Sequence, residues 1–210
     1  YNWRTPRLDI WLNGGSAFNP AEGLPFERII VDQDGPLNPH TKTSGDLDGD
    51  GIEDLIICSS AEGPLVWYRS PQWEMYTIAE SGSWSCDAEV GDMDGDGDND
   101  LVISEYYSKM RMEWYENPGP DENPEGRMWK LHAIGPPRAH DIELSDLDCD
   151  GDLDIISRSQ SGFGTEEGDR LTLWYHGTGD SWTQQVIACP HGEGLAVGDM
   201  NCDGLPDLTI

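Results

Sequence analysis

The chain has 210 residues, with 41 Asp and Glu against 12 Lys and Arg, and its formal net charge is −29 at pH 7. This charge repels nucleic acid and anionic membranes, and no stretch approaches the ~20 apolar residues that span a bilayer, so we expect no nucleic-acid partner and no membrane insertion. The 25 Gly, 14 Pro and nine Trp residues favour many short strands joined by turns.

Four copies of a four-strand unit are predicted along the chain. The inner strands are predicted at 41–44, 87–90, 141–144 and 195–197. After an acidic hairpin, the second strands carry DLIIC, DLVIS, LDIIS and DLTI. Aromatic third strands are predicted at 9–12, 65–68, 112–115 and 171–175, and outer strands at 26–31, 73–78, 129–134 and 182–187. A unit of roughly fifty residues with four strands is typical of one propeller blade.

The chain is therefore expected to be an all-β protein, a β-propeller of four-stranded antiparallel blades that forms one domain over residues 1–210. Three units occupy 32–79, 80–135 and 136–189, and residues 1–31 and 190–210 supply complementary halves of a fourth. Pairing of these halves would close a four-bladed ring and remove exposed sheet edges. A segment of a larger ring has the same pattern, and the sequence leaves both arrangements open.

Each acidic hairpin follows the pattern D-x-[DN]-x-D-G-x-x-D and is predicted to hold one Ca²⁺. Side chains at positions one, three, five and nine, with the backbone carbonyl at position seven, supply the oxygen ligands that Ca²⁺ prefers. The Gly at position six allows the sharp turn. The predicted ligands are Asp46, Asp48, Asp50, Ile52, Asp54, Asp92, Asp94, Asp96, Asp98, Asp100, Asp146, Asp148, Asp150, Asp152, Asp154, Asp199, Asn201, Asp203, Leu205 and Asp207.

About four Ca²⁺ ions are thus the expected cofactors. An EF-hand is excluded because position twelve lies in a strand and is not Glu, and the all-oxygen shell disfavours zinc and copper. Without cations the crowded carboxylates repel one another, so metal binding is expected to be coupled to folding. The last loop has Asn201 in place of an Asp and is predicted to be the weakest site.

These loops and aromatic strands resemble the FG-GAP/VCBS-type repeats of integrin α-subunit propellers and of many secreted bacterial proteins. The resemblance spans nearly the whole chain and implies a calcium-binding propeller. It implies no single activity, because such propellers include adhesion modules, lectins and parts of polysaccharide-degrading enzymes. Cys149 and Cys202 depart from the pattern by replacing the usual Gly at loop position four. Loop spacing argues against a disulfide between them.

Weak catalytic candidates precede three of the loops. His40, His140 and His191, together with Arg138, are expected near one mouth of the central channel. One interpretation is a polysaccharide lyase site in which a His acts as base and Arg138 neutralises a uronate. The other interpretation is that these histidines cap strand ends or hydrogen-bond neighbouring blades.

The tryptophans fall into two groups. Most recur at fixed repeat positions and are predicted to pack blade against blade, as in the set Trp11, Trp67, Trp114 and Trp174. Trp3 and Trp84 lie outside the repeat pattern and are the better candidates for a ligand surface. The inserts 116–128 and 158–170 are further candidates, because binding loops are often carried on a rigid scaffold.

The favoured function is a secreted calcium-binding module, extracellular or at the cell surface, that binds a glycan or an extracellular protein in adhesion and is not an enzyme. Millimolar Ca²⁺ outside cells suits loops of this kind. The alternatives are a polysaccharide lyase, or a structural unit of an extracellular filament that self-assembles. Five cysteines leave at least one thiol unpaired within the chain.

Overall fold

The computed structural model describes residues 7–13, 26–36, 38–106, 109–119, 128–159, 170–189 and 194–210. Strands and turns make up these residues, and the described part of the chain contains no helix, so it has none that could span a membrane. The all-β prediction is confirmed.

Three antiparallel sheets have four strands each and form complete blades, with the strands in sequence order. Blade 1 contains β3 (Pro39–Gly45), β4 (Asp54–Ser59), β5 (Gly63–Arg69) and β6 (Glu74–Gly82). Blade 2 contains β7 (Trp84–Gly91), β8 (Asp100–Glu105), β9 (Arg111–Glu116) and β10 (Lys130–Gly135). Blade 3 contains β11 (Asp141–Ser145), β12 (Asp154–Ser159), β13 (Arg170–His176) and β14 (Trp182–Ala188).

Two hairpins complete the described strands. The first pairs β1 (Leu8–Asn13) with β2 (Phe26–Asp32), and the second pairs β15 (Ala196–Gly198) with β16 (Asp207–Thr209). Each hairpin is a separate two-stranded sheet among the described residues. The pairing of β16 with β1 that a closed four-bladed ring requires is therefore not formed, although the four-stranded blades themselves are as predicted.

Apolar seams between neighbouring sheets form the core. The central strands of each blade are short apolar runs because both of their faces are covered, and β8 is buried along its whole length. One seam joins blades 1 and 2 and another joins blades 2 and 3. The β1–β2 hairpin packs on blade 1, and the β15–β16 hairpin packs on blade 3. Each fully buried aliphatic or aromatic side chain contributes about 1.5–3 kcal/mol.

The register of the third strands corrects one repeat alignment. Trp67 and Trp114 oppose Ile56 and Val102, as the repeat predicts, but in blade 3 the matching residue is Leu173. Trp174 lies one residue further and takes the place of the tyrosines in blades 1 and 2. All three tryptophans are buried in seams, so their packing role is confirmed, whereas Trp11 is 61% exposed on β1.

Trp84 does not form a ligand surface, contrary to the sequence-based expectation. Its side chain is fully buried in the seam between blades 1 and 2, where its ring meets the edge of Tyr115 at 6.4 Å between centroids. Trp84 begins the inner strand β7, and a bulge follows it in the pairing with β8, which explains why the repeat pattern does not contain it. Trp3 lies outside the described residues.

Close packing of the inner strands sets the acidic loops side by side. At Gly45, the last residue of β3, a Cβ atom would lie 2.4 Å from Cγ1 of Val90 on β7, so only glycine fits at this approach. Each acidic loop joins an inner strand to the second strand of the same sheet. In the three complete blades the loops therefore emerge at the same end of the stack.

Candidate metal centre

The four acidic loops are loop 1 (46–54), loop 2 (92–100), loop 3 (146–154) and loop 4 (199–207). In loop 1, Asp46 accepts hydrogen bonds from the backbone N–H groups of Gly49 at 2.9 Å and Gly51 at 2.8 Å. Gly51 has a φ of +85°, the left-handed conformation that glycine adopts without strain. These bonds wrap the loop around its first Asp, and the corresponding first Asp accepts backbone N–H groups in the other three loops.

Carboxylates converge inside three of the loops. In each group, ligand atoms from three residues lie within 4.8 Å of one another. The groups are Asp46, Asp48 and Asp50; Asp92, Asp94 and Asp96; and Asp146, Asp148 and Asp154. Loop 4 has Asn201 at position three, and Asp203 donates its backbone N–H to the Asn201 amide oxygen at 2.8 Å, as Asp50 does to Asp48 in loop 1. Loop 4 therefore has the same local hydrogen-bond pattern with one carboxylate fewer.

The Asp at position nine clasps its loop to the third strand. Asp100 is 1% exposed and accepts the backbone N–H groups of Met93 at 2.9 Å and Asn117 at 2.7 Å. Asp54 and Asp154 make the matching pairs of bonds in their blades. Each carboxylate oxygen keeps a second lone pair, so the predicted role of position nine as a ligand is compatible with the clasp.

In the absence of a cation, burial disfavours the charged form of these carboxylates and raises their pKa values. It raises the pKa of Asp54 to about 6 and that of Asp100 to about 7, against the lowering effect of their backbone hydrogen bonds. Burial also raises the pKa of Asp154 and of Asp94, with the Asp96 carboxylate adding to the effect at Asp94. A divalent cation among these oxygens would reverse the shifts by favouring the charged form.

Asp48 tests the fit of loop 1 to a metal ion. Its side chain is 6% exposed, and its Oδ2 atom is buried and accepts no hydrogen bond among the described residues. The same Oδ2 lies 2.6 Å from Nε of Arg69, a charge contact without hydrogen-bond alignment. The oxygen is thus paired with a positive charge, as a buried carboxylate requires, and a metal ion in loop 1 would provide a positive charge at the same place.

The cysteines at position four are explained by backbone conformation. Cys149 and Cys202 have φ values of +63° and +64°, close to the +74° and +77° of Gly49 and Gly95 at the same position. Both thiols are exposed and free, and the disulfide between them is not formed. The left-handed conformation is thus retained in these loops at some cost in backbone strain.

Two asparagines tie loop 1 to loop 2. Asn99 donates through Nδ2 to the carbonyl of Asp46 at 2.9 Å. Asn117, which is 2% exposed, donates through Nδ2 to the carbonyls of Leu47 at 2.8 Å and Asn99 at 2.9 Å. The repeat pattern gave no indication of this bridge, because neither Asn recurs in the other blades.

The channel-mouth histidines approach one another at the opposite end of the blades. His40 accepts the backbone N–H of Cys86 through Nδ1 at 3.2 Å, and burial lowers the pKa of His40, with the charges of Lys42 and His140 adding to the effect. His140 donates through Nδ1 to Asp141 at 3.2 Å. His191 lies outside the described residues.

Arg138 is held by the fold. Its side chain is 8% exposed, its guanidinium lies 3.9 Å from the centre of the Tyr106 ring, and it donates to the Tyr106 carbonyl. These contacts account for the residue structurally. Its predicted role in neutralising a uronate receives no support from them.

Carboxylates on the inner strands repel one another. Burial raises the pKa of Glu89 to about 7, and the charges of Asp87 and Glu143 add to the effect. Because the folded pKa lies above the ordinary value of 4.5, ionised Glu89 destabilises the fold, and stability is lost as the pH rises from about 4.5 to about 7. We expect Glu89→Gln to stabilise the protein by about 1 kcal/mol above this window, a value discounted for partial exposure.

Thermal denaturation across the pH range measures the Glu89 effect. The gain should disappear below pH 4.5, where the wild-type carboxyl is also neutral in both states. Glu27→Gln, on the exposed face of β2, makes the same change in net charge and serves as the control. A gain of equal size in the control, or a gain that persists in acid, would contradict the prediction.

A cavity of about 360 Å³ lies between blades 2 and 3 at the end that carries the acidic loops. His132, on β10, stacks on Trp114 at 3.9 Å and donates through Nε2 to Glu116 at 2.7 Å, while its Nδ1 meets Asp180 of blade 3. This cluster was not among the sites predicted from the sequence. One signal was present, because His132 occupies the position of Tyr76, which packs on the corresponding Trp67.

Fold and loops together define a class of protein, the β-propeller built from repeats with an acidic hairpin between the first two strands. A model of the FG-GAP-like repeat matches the chain three times, over residues 46–103, 92–157 and 146–210, which is more than half of its length. The chain belongs to the FG-GAP-like repeat family, as the sequence motifs indicated. Repeats of this family fold as propellers. Among curated proteins, none matches the chain.

Proposed function

We propose that this chain is a calcium-binding propeller module that works outside the cell and binds a glycan or an extracellular protein. The observation that carries the calcium assignment is the crowding of carboxylates in loops 1 to 3, where ligand atoms from three acidic residues come within 4.8 Å of one another. Crowded, partly buried anions of this kind are stabilised by a divalent cation.

The donor set favours Ca²⁺ over other metals. Side-chain carboxylates and a backbone carbonyl give an all-oxygen shell, which poorly serves zinc or copper. Mg²⁺ requires near-ideal octahedral geometry and keeps several waters, whereas Ca²⁺ accepts six to eight oxygens in a flexible arrangement. The residues that would hold the ions are the predicted ligands in loops 1 to 4, and loop 4 would bind most weakly because Asn201 replaces a carboxylate.

Binding of a macromolecule is supported by the architecture. Tightly packed blades, with seams of buried aromatic side chains, form a rigid scaffold on which connecting loops can present a binding surface. The Ca²⁺ ions would stiffen one end of that scaffold. The inserts at 116–128 and 158–170 are the proposed contact segments, and most of their residues lie outside the described ranges.

A glycan array and an array of extracellular proteins, each probed with millimolar Ca²⁺ and with excess chelator, test this function. We expect binding to one class of ligand that is lost in chelator and restored by Ca²⁺. Asp94→Ala, which removes an oxygen ligand from loop 2, should weaken that binding, whereas Glu27→Gln should leave it unchanged. Binding that is the same with and without Ca²⁺, or no binding on either array, would count against the proposal.

A second candidate, a polysaccharide lyase, is favoured by one observation. His140 and Asp141 form an arrangement in which a carboxylate orients an imidazole for proton abstraction. The charge of His140 also contributes to the lowered pKa of His40. Incubation with uronate polymers would reveal an unsaturated product by its ultraviolet absorbance. Activity that is lost in His140→Ala and kept in His176→Gln would support the lyase, and no product with any polymer would exclude it.

A further inference from the structure

One position at the end of the third strand differs in charge from blade to blade. It immediately precedes the residue whose backbone N–H donates to the position-nine Asp. The position is fixed by its neighbour, because Ser70, Asn117 and His176 each donate a backbone N–H to the position-nine Asp of their own blade. The preceding residues are therefore equivalent, and strand register agrees, since they pair with Glu74, Lys130 and Thr183. These equivalent residues are Arg69, Glu116 and Tyr175.

In blade 1 the residue at this position, Arg69, forms an ion pair with a carboxylate of loop 1. Nε of Arg69 lies 2.6 Å from Oδ2 of Asp48, the oxygen at position three that accepts no hydrogen bond. The Asp48 side chain is 6% exposed, so solvent screens this contact weakly. A guanidinium stays charged at all ordinary pH values, so a cation that enters loop 1 must compete with it for the same carboxylate.

Blades 2 and 3 provide natural contrasts. Glu116 brings a negative charge towards loop 2, where it lines the same cavity as Asp94, although its carboxylate also accepts hydrogen bonds from Lys130 at 2.6 Å and His132 at 2.7 Å. Tyr175 is neutral, and its hydroxyl donates to Gln185 at 3.2 Å. The charge at this position thus runs from positive in blade 1 through neutral in blade 3 to negative in blade 2.

We propose that this position sets the calcium affinity of the loop in its own blade, and that Arg69 is a built-in counter-ion that weakens Ca²⁺ binding at loop 1. The inference rests on the proposed calcium function. When loop 1 is empty, Arg69 neutralises Asp48 and stabilises the loop. When Ca²⁺ binds, that ion pair is lost or shared, and the affinity falls accordingly.

Calorimetric titration of the metal-stripped chain with Ca²⁺ tests the proposal. Arg69→Gln should bind Ca²⁺ at one site about tenfold more tightly than the wild type, on the scale expected for a half-buried ion pair. Its metal-free form should melt at a lower temperature. Arg28→Gln is the matched control, because Arg28 pairs with Asp9 on the β1–β2 hairpin and is 43% exposed. The control should titrate like the wild type.

Further variants assign the effect to loop 1. Asp46→Ala removes the side chain around which loop 1 folds, so adding Arg69→Gln to it should change no Ca²⁺ affinity. Arg69→Lys keeps the positive charge and should bind within about threefold of the wild type. If the Gln variant fails to fold, Tyr175→Arg, which places a positive charge at the equivalent position of blade 3, should weaken Ca²⁺ binding at one site, and unchanged affinity there would overturn the inference. Ca²⁺ binding with equal affinity in the wild type and Arg69→Gln would overturn the inference alone. No Ca²⁺ binding in the wild type would overturn the proposed function itself.

Discussion

Removing calcium is expected to lower the melting temperature of this protein by about 20 °C or more. A ligand at 100 times its dissociation constant stabilises the folded state by about 2.7 kcal/mol per site, so four such sites contribute about 11 kcal/mol. In a domain of this size, 1 kcal/mol shifts the melting temperature by about 2–4 °C. Loss of the ions also exposes each loop to repulsion among its carboxylates, as at Asp46, Asp48 and Asp50.

Scanning calorimetry in millimolar Ca²⁺ and in excess chelator measures this difference. Adding Ca²⁺ back should restore the original melting temperature, whereas Mg²⁺ should restore little of it, because the crowded loops do not suit its octahedral shell. The Asp50→Asn variant should show a smaller calcium-dependent shift than the wild type. Identical melting curves with and without chelator would contradict the account.

Asp100→Ala is expected to destabilise the protein by about 3 kcal/mol even when no metal is present. The change leaves the backbone N–H groups of Met93 and Asn117 without their acceptor, and each such buried donor costs about 1–3 kcal/mol. Denaturant unfolding in chelator isolates this clasp from any role in metal binding. A further loss in Ca²⁺ would show that the same carboxylate also ligates the ion.

Asp207→Ala is the matched control for the clasp. Asp207 occupies position nine of loop 4, is half-buried, and accepts the backbone N–H of Met200 at 2.9 Å. Its loss should cost about 1 kcal/mol, because one partly solvated hydrogen bond is removed. Equal effects of the two substitutions in chelator would contradict the role of Asp100 as a buried clasp.

Features that recur in every unit could be predicted from the sequence. The inner, second, third and outer strands lie close to their predicted positions, because apolar second strands, aromatic third strands and acidic hairpins recur in the same order in each unit. Carboxylates at loop positions one, three and five face one another in loops 1 and 2 as the spacing indicated. The four-bladed closed ring could not be decided, because strand pairing between distant segments leaves no local pattern.

The register of the third strand in blade 3 differs by one residue from the register that the sequence predicted. Trp174 was aligned with Trp67 and Trp114 by its Trp-Tyr dipeptide, yet Leu173 opposes the matching residue of the second strand. A slip of one residue moves a side chain to the other face of a sheet, so Trp174 packs towards blade 2 with the opposite orientation. The pattern was sufficient to predict burial and insufficient to predict the face.

Contacts between blades could not be predicted because they depend on residues that occur once. Asn117 joins two loops only because Leu47 and Asn99 present carbonyls to it from different blades. Arg69 reaches Asp48 across the end of blade 1, whereas the equivalent residues carry other charges. A repeat alignment averages over such differences, and these differences distinguish one loop from another.

The most direct test of calcium in the loops is an anomalous difference map from crystals grown in Ca²⁺, recorded where calcium scatters anomalously. We expect one peak in each of loops 1 to 4, with the weakest in the loop that contains Asn201 and each peak surrounded by the carboxylates of its own loop. A map without peaks in these loops, from crystals that diffract well enough to show them, would contradict this expectation.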